Sequence, residues 1–402
     1  MTIMIFAAVV GFLMAFAIGA NDVANAMATA VGSKAITPKQ AAIIASFAEF
    51  CGAVMFGTAV TKTIASGIVN IEAIGEPTFI VYGALSALIA ASIWVLMATL
   101  FGMPVSTTHS IIGGMIGFGL VAGGINIIYW PRLAQIVLSW FLSPFIGGLL
   151  AFIVFKIIVH SILHRANPIK CAKIVSPILI AATFFVISYM FSLKTLDMPR
   201  SLSLSYAVIA AFIALSLSWL FVRNFIKKNE HSNYNVVERI FRRVQVMTSV
   251  YVSFSHGAND VANAVGPLAL IYLILHGGAI SGNAELPPYI LMIGGLGIAV
   301  GVATYGYKVM NTVGYQITEL NNTRGFSIDF ATATTVLFAS VFGLPISTTH
   351  TVVGSVTGVG LARGFELVNF SILKSIMYSW FITVPFAAGV AALSYLILTN
   401  FF

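Results

Sequence analysis

The chain reads as an all-α polytopic membrane protein of about twelve transmembrane helices, built as two inverted-topology repeats with Pro-broken helices at the membrane midplane. Three observations predict this. Of its 402 residues 59% are hydrophobic and 8% charged, and the mean hydropathy is +1.00, values a water-soluble domain does not carry. The apolar runs are about twenty residues or longer, the length of a helix that crosses hydrocarbon, whereas the strands of a spanning barrel alternate over about ten. Finally, Gly19-Ala20-Asn21-Asp22-Val23-Ala24-Asn25-Ala26 returns unchanged as Gly257-Ala258-Asn259-Asp260-Val261-Ala262-Asn263-Ala264.

Apolar segments fall at residues 4–30, 41–63, 79–101, 105–125, 133–163, 174–193, 204–222, 245–275, 289–310, 328–343, 346–363 and 371–400. The first lacks a basic leader region and carries the Asn-Asp motif, so it is expected as a retained helix rather than a cleaved signal. Orientation follows from the cations. Arg165, Lys170 and Lys173 occupy one loop, and Arg223, Lys227, Lys228, Arg239, Arg242 and Arg243 a polar stretch two crossings later, so both lie on one side. Basic loops are cytoplasmic. The linker 223–243 is therefore expected inside with Lys34, Lys39, Lys308, Arg324, Arg363 and Lys374, and the Glu72/Glu76 loop and both termini outside, in the inner (plasma) membrane. These loops account for the net charge of +8, and no nucleic-acid partner is expected. Cys51, in an apolar run, and Cys171, beside a basic loop, point to neither a disulfide nor a thiolate metal site.

By this count the first motif runs from outside to inside in crossing one and the second runs back in crossing eight, so the halves are inverted. A second pair supports the duplication: Phe101-Gly-Met-Pro-Val-Ser-Thr-Thr-His109-Ser-Ile-Ile-Gly113 matches Phe342-Gly-Leu-Pro-Ile-Ser-Thr-Thr-His350-Thr-Val-Val-Gly354. Ser139-Trp140-Phe141 and Ser379-Trp380-Phe381 continue the match. Repeat one covers 1–163 and repeat two 245–402. Residues 164–244 hold two connecting helices and the basic cytoplasmic linker. Inverted repeats related by an in-plane axis are a transporter architecture, with substrate and coupling ions held between the halves.

Each motif has its own chemistry. An ionised Asp at membrane depth is costly unless it has partners or lines water, so Asp22 and Asp260 mark function. On a helix Asp22 shares a face with Asn25, and Asp260 with Asn263, beside small residues that let backbones approach. One charge and hard amide oxygens suit sodium or a proton better than a transition metal. In the second motif Pro104 and Pro345 block a continuing helix, and Ser106-Thr107-Thr108 and Ser347-Thr348-Thr349 then fall at N-cap and first-turn positions. A helix start with free N–H groups and hydroxyls is an anion cradle. Two such starts near the midplane suit a tetrahedral oxyanion.

These paired motifs resemble those of the inorganic phosphate transporter (PiT) family of sodium/phosphate symporters and proton-coupled microbial relatives, and the short linker resembles its prokaryotic members. The resemblance implies phosphate contacts at Ser106, Thr107, Thr108, Ser347, Thr348 and Thr349, with Asn21 and Asn259 beside them. It also implies sodium ligands at Asp22, Asn25, Asp260 and Asn263, coupling acids at Glu49 and Asp329, phosphate and sodium as bound partners, and no cofactor beyond the coupling ion. Repeat one has no acid near Ala84 to match Asp329. A homodimer is one assembly open to such a chain.

His256 stands where repeat one has Ile18, which makes it an asymmetric proton or gating residue, or else a buried structural one. His109 and His350 follow serines by three residues but lack a carboxylate orienter, so they are expected to pack with a hydroxyl hydrogen bond rather than to catalyse hydrolysis. Trp130, Trp140 and Trp380 are expected as interfacial anchors. No enzyme is expected. The functional reading is phosphate import by sodium symport. Proton-coupled phosphate or metal-phosphate symport and sulfate transport on the same scaffold stay open, and a passive anion channel is disfavoured by the intramembrane acids.

Overall fold

The computed structural model describes residues 2–103, 105–227, 233–276, 286–306, 320–364 and 370–401. Among these there are thirteen α-helices: α1 (Thr2–Gly32), α2 (Pro38–Phe56), α3 (Thr58–Ser66), α4 (Pro77–Leu100), α5 (Thr107–Gly123), α6 (Trp130–Ile158), α7 (Pro168–Lys194), α8 (Arg200–Lys227), α9 (Asn233–Leu275), α10 (Pro288–Gly301), α11 (Asn322–Val341), α12 (Thr348–Arg363) and α13 (Phe370–Phe401). Short π-helical turns extend α6 over Val159–Leu163 and α10 over Val302–Gly306. Nine of the described helices are long and apolar enough to cross a membrane, so the chain is an all-helical, multi-pass membrane protein.

The described helices do not reproduce twelve full crossings. The expected segment 41–63 is two helices, because the chain bends at Gly57, where an added Cβ would press on a Val261 methyl. α5 and α12 have 17 and 16 residues, about 25 Å at 1.5 Å per residue, which is short of a bilayer core of about 30 Å. Lys308 lies outside the described residues. In the opposite sense α9, with 43 residues, is about 65 Å long and reaches well beyond the hydrocarbon at its basic end.

The packing pairs related elements. α1 lies on α4 and α10, while α9 lies on α11 and α2; α5 packs on α4 and α13, while α12 packs on α11 and α6. α1 and α9 touch and run antiparallel: Gly11 of α1 meets Leu268 of α9, whereas Ser33, further along α1, hydrogen-bonds Gln245, earlier on α9 (2.8 Å). Close approach needs the motif glycines. A Cβ on Gly19 would collide with the Ile298 carbonyl, and one on Gly257 with the Glu49 carbonyl, which is the small-residue packing that drives helix association in lipid. α7 and α8 form a hairpin packed mainly on itself, with most of α8 facing outward.

Candidate functional site

The two short helices start in the same way. Gly102 (φ +65°) and Gly343 (φ +66°) adopt the left-handed conformation that glycine tolerates best, turning the chain out of α4 and α11. Ser106 and Ser347 then cap the next helices, each accepting from the N–H three residues on, His109 and His350, at 3.2 Å. Their first-turn N–H groups and the positive dipole ends point into the protein interior. The starts also cross-link each other: Thr108 donates to the Ile346 carbonyl (3.0 Å) and Thr349 to the Val105 carbonyl (3.5 Å). Pro345 lies in the non-helical link before α12. Pro104, its counterpart, lies outside the described residues.

The Asn-Asp motifs of α1 and α9 close over these starts in matching fashion. The Asn21 amide donates to Thr99 (2.8 Å) and the Met103 carbonyl (3.4 Å); the Asn259 amide donates to Ser340 (3.1 Å) and the Leu344 carbonyl (3.2 Å). Asn25 donates across to Thr349 (2.8 Å), and Asn263 to Thr108 (3.1 Å) and Thr107 (3.2 Å). Thr107 donates to Asp22 (3.0 Å), and Thr348 to Asp260 (3.3 Å). Each motif therefore reads hydroxyls from both short helices. The carbonyl oxygens of Asn21, Asn259 and Asn263 are buried with no hydrogen-bond partner in the protein, which leaves acceptor capacity for a ligand.

His256 joins the acids. Its Nδ1 lies 3.2 Å from Glu49, and its Nε2 3.0 Å from Asp260 and 3.8 Å from Asp22. These are ion-pair separations; neither ring nitrogen is aligned for a hydrogen bond. All four side chains are buried. Three carboxylates share one imidazole, so even a protonated ring leaves uncompensated negative charge, a costly state in a buried site without a further cation or proton. Ligand atoms of Asp22, His256 and Asp260 lie within 4.8 Å of one another, close enough to converge on one ion; sodium would take the carboxylate and amide oxygens rather than the imidazole nitrogen. Asp329 stands apart from this cluster on α11, its two oxygens each accepting at 2.6 Å from Thr29 and Ser249.

Asn21, Asp22, Asn25, Asn259, Asp260, Asn263, Thr107, Thr108, Thr348 and Thr349 are thus brought into one network, with Ser106 and Ser347 as caps and Glu49 and His256 on its acidic side. The sequence reading missed Thr99 and Ser340, which hold the first asparagine of each motif; their hydroxyls stand at matching positions ahead of Phe101-Gly and Phe342-Gly, a signal available in the alignment of the repeats. It also missed Thr29 and Ser249. Two expectations are corrected. Trp140 is not an interfacial anchor: it is buried, packs on His109 with the rings tilted by 45° (3.8 Å between centroids) and donates to the Pro345 carbonyl (3.1 Å), because its register turns it toward the bundle. The hydroxyl bonds expected of His109 and His350 are made by their backbone N–H groups and not by the His109 ring, whose two nitrogens lack a hydrogen-bond partner; Nδ1 of His350 lies 3.5 Å from the Trp140 carbonyl. Trp130 is half exposed, and the side chain of Trp380 lies outside the described residues.

A multi-pass helical protein whose duplicated polar motifs close over two buried helix starts is built as a membrane carrier. The chain belongs to the phosphate transporter family, whose profile matches residues 18–391. It is 53% identical over 97% of its length, and 96% of the relative's, to a protein described as a phosphate permease from Thermococcus kodakarensis. It is 40% identical over 95% of its length, and 70% of the relative's, to the chloroplastic inorganic phosphate transporter 2-1 of Arabidopsis thaliana. A solved structure described as the sodium-dependent phosphate transporter matches it with a TM-score of 0.96 and 52% identity over 100% of both chains. The family and these relatives are transporters, not enzymes.

Proposed function

We propose that this protein imports inorganic phosphate by sodium symport, alternating access between inverted repeats 1–163 and 245–402, with 164–244 as connecting helices and cytoplasmic linker. One observation carries the coupling: three buried carboxylates, those of Asp22, Glu49 and Asp260, face a single imidazole, so the site gains stability when a cation enters. In this reading Asp22, Asn25, Asp260 and Asn263 hold sodium. The starts of α5 and α12, with Ser106–Thr108 and Ser347–Thr349, hold phosphate beside Asn21 and Asn259. The cation offsets charge that would otherwise repel the anion, so each ligand tightens the other's binding. Glu49 and Asp329 tune the coupling. The sodium-dependent description of the similar solved structure supports the choice of ion.

Proton coupling is the second reading, favoured by the position of His256 among the carboxylates. Proteoliposomes separate the two. With the proton gradient collapsed by a protonophore, an inward sodium gradient is expected to drive phosphate above its external concentration. Uptake that needs a proton gradient and ignores sodium would replace sodium symport with the His256 reading.

A further inference from the structure

A second polar anomaly lies outside this network. A groove of about 790 Å³ runs between α6, α12 and α13, and none of the clustered carboxylates or asparagines lines it. Phe141, Phe145 and Phe381 stand at its mouth, all well exposed on helices apolar enough to cross a membrane, and Phe152 and Leu361 extend its apolar walls. His109 and His350 also line it, both buried, with their rings edge to face at 4.5 Å, and neither ring nitrogen of His109 is hydrogen-bonded. The hydroxyl of Thr357 is already satisfied by the Val353 carbonyl (2.7 Å).

A neutral imidazole offers one donor and one acceptor, and leaving either unmade in a buried site is costly. An apolar lining penalises a charged head group. A hydroxyl meets both conditions, since it donates and accepts without charge. An apolar cavity of about 300–1,000 Å³ with a few convergent polar groups is the usual form of a small-molecule site. We infer that this groove binds an apolar, hydroxyl-bearing molecule taken from the bilayer, a long-chain or polycyclic alcohol, with its hydroxyl on His109 and its hydrocarbon between the phenylalanines.

The groove is tied to the anion cradle through Trp140, whose ring packs at a tilt on His109 while its N–H holds the Pro345 carbonyl, two residues before the α12 cap. Occupancy is therefore expected to change phosphate affinity. That second step rests on the proposed transport function; binding of the alcohol does not.

The test uses the full-length protein in phosphatidylcholine nanodiscs with a photoreactive, diazirine-bearing hexadecanol. Labelling is expected on α6, α12 and α13, competed by hexadecanol about tenfold more strongly than by hexadecane, the worth of one hydrogen bond. His109→Phe keeps a ring and removes both nitrogens, so alcohol and alkane should then compete equally; Leu361→Trp, which fills the groove, should abolish labelling. Equal competition by alkane in the unmutated protein, labelling spread over the other lipid-facing helices, or cross-links joining two copies of the chain through this groove would each overturn the site. Phosphate affinity unchanged at saturating hexadecanol would overturn the link through Trp140, whereas absent phosphate binding without any alcohol would count against the transport reading instead.

Discussion

Around the second motif, Gly257 packs on the backbone of Glu49 and follows His256; around the first, Gly19 packs in the same way on Ile298 and follows Ile18. Matching the two motifs residue for residue thus sets a buried ion pair against two buried isoleucines. Asp329 belongs to the same pattern. Its partners Thr29 and Ser249 stand where the other half carries Pro267 and Gly11. The hydrogen bonds of the motifs are different: each bond from Asn21 or Thr107 has its counterpart from Asn259 or Thr348. The motif acids and their asparagine and threonine contacts are shared between the halves, whereas the additional charges of Glu49, His256 and Asp329 are not, which suits ligands gripped by both motifs and coupling tuned by groups that one motif lacks.

The comparison breaks most sharply at the shared acids. Asp22→Asn or Asp260→Asn removes the only formal charge of its motif, so sodium dependence of phosphate uptake should be lost and phosphate binding should weaken by about 5- to 150-fold through linkage. Uptake kinetics across a sodium titration check this; an unchanged sodium requirement in either variant removes that acid from the cation site. The asymmetric pair comes next. His256→Gln removes the one cationic partner of three buried carboxylates and should destabilise the protein by about 3–5 kcal/mol, whereas Glu49→Gln removes one of the surplus negative charges and should cost less. Ile18→Val and Ile298→Val, at the matching positions, should cost about 1 kcal/mol. Denaturation in detergent micelles compares them, and equal losses in the two halves would erase the asymmetry.

Smaller effects sharpen the shared grip. Thr108→Ala and Thr349→Ala each remove one buried hydroxyl and should weaken phosphate binding by about 1–3 kcal/mol, with Ser recovering most of it. Similar losses at the two positions support a symmetric cradle; a loss confined to one would assign the anion to a single helix start. The smallest signal is topological. Cysteines replacing Lys34 and Glu72 should be labelled from opposite sides of sealed cells, and equal accessibility would undo the inverted-repeat reading.

Much of the site was legible because its local rules are strong. A Ser-Thr-Thr run after a helix-breaking proline identifies a helix start, and its repetition identifies a pair; the caps at Ser106 and Ser347 follow. The helix lengths were less legible, since 105–125 and 346–363 read as full crossings, whereas α5 and α12 begin only after the turns at Gly102 and Gly343 and have 17 and 16 residues. The meeting of Glu49 with His256 could not be read from periodicity, because it depends on how α2 crosses α9. Trp140 was misread for a similar reason: interfacial and interior-facing tryptophans share a composition and differ in which side of the helix they occupy.

The central claim is that cation and phosphate bind one site and assist each other. Phosphate affinity of the purified protein, titrated at fixed pH and ionic strength with sodium exchanged for choline, tests it most directly. The account predicts that sodium tightens phosphate binding at least fivefold, the lower end of ordinary coupling, and that the gain disappears in Asp22→Asn and Asp260→Asn. Equal affinity in sodium and choline, with both variants behaving like the unmutated chain, would contradict it.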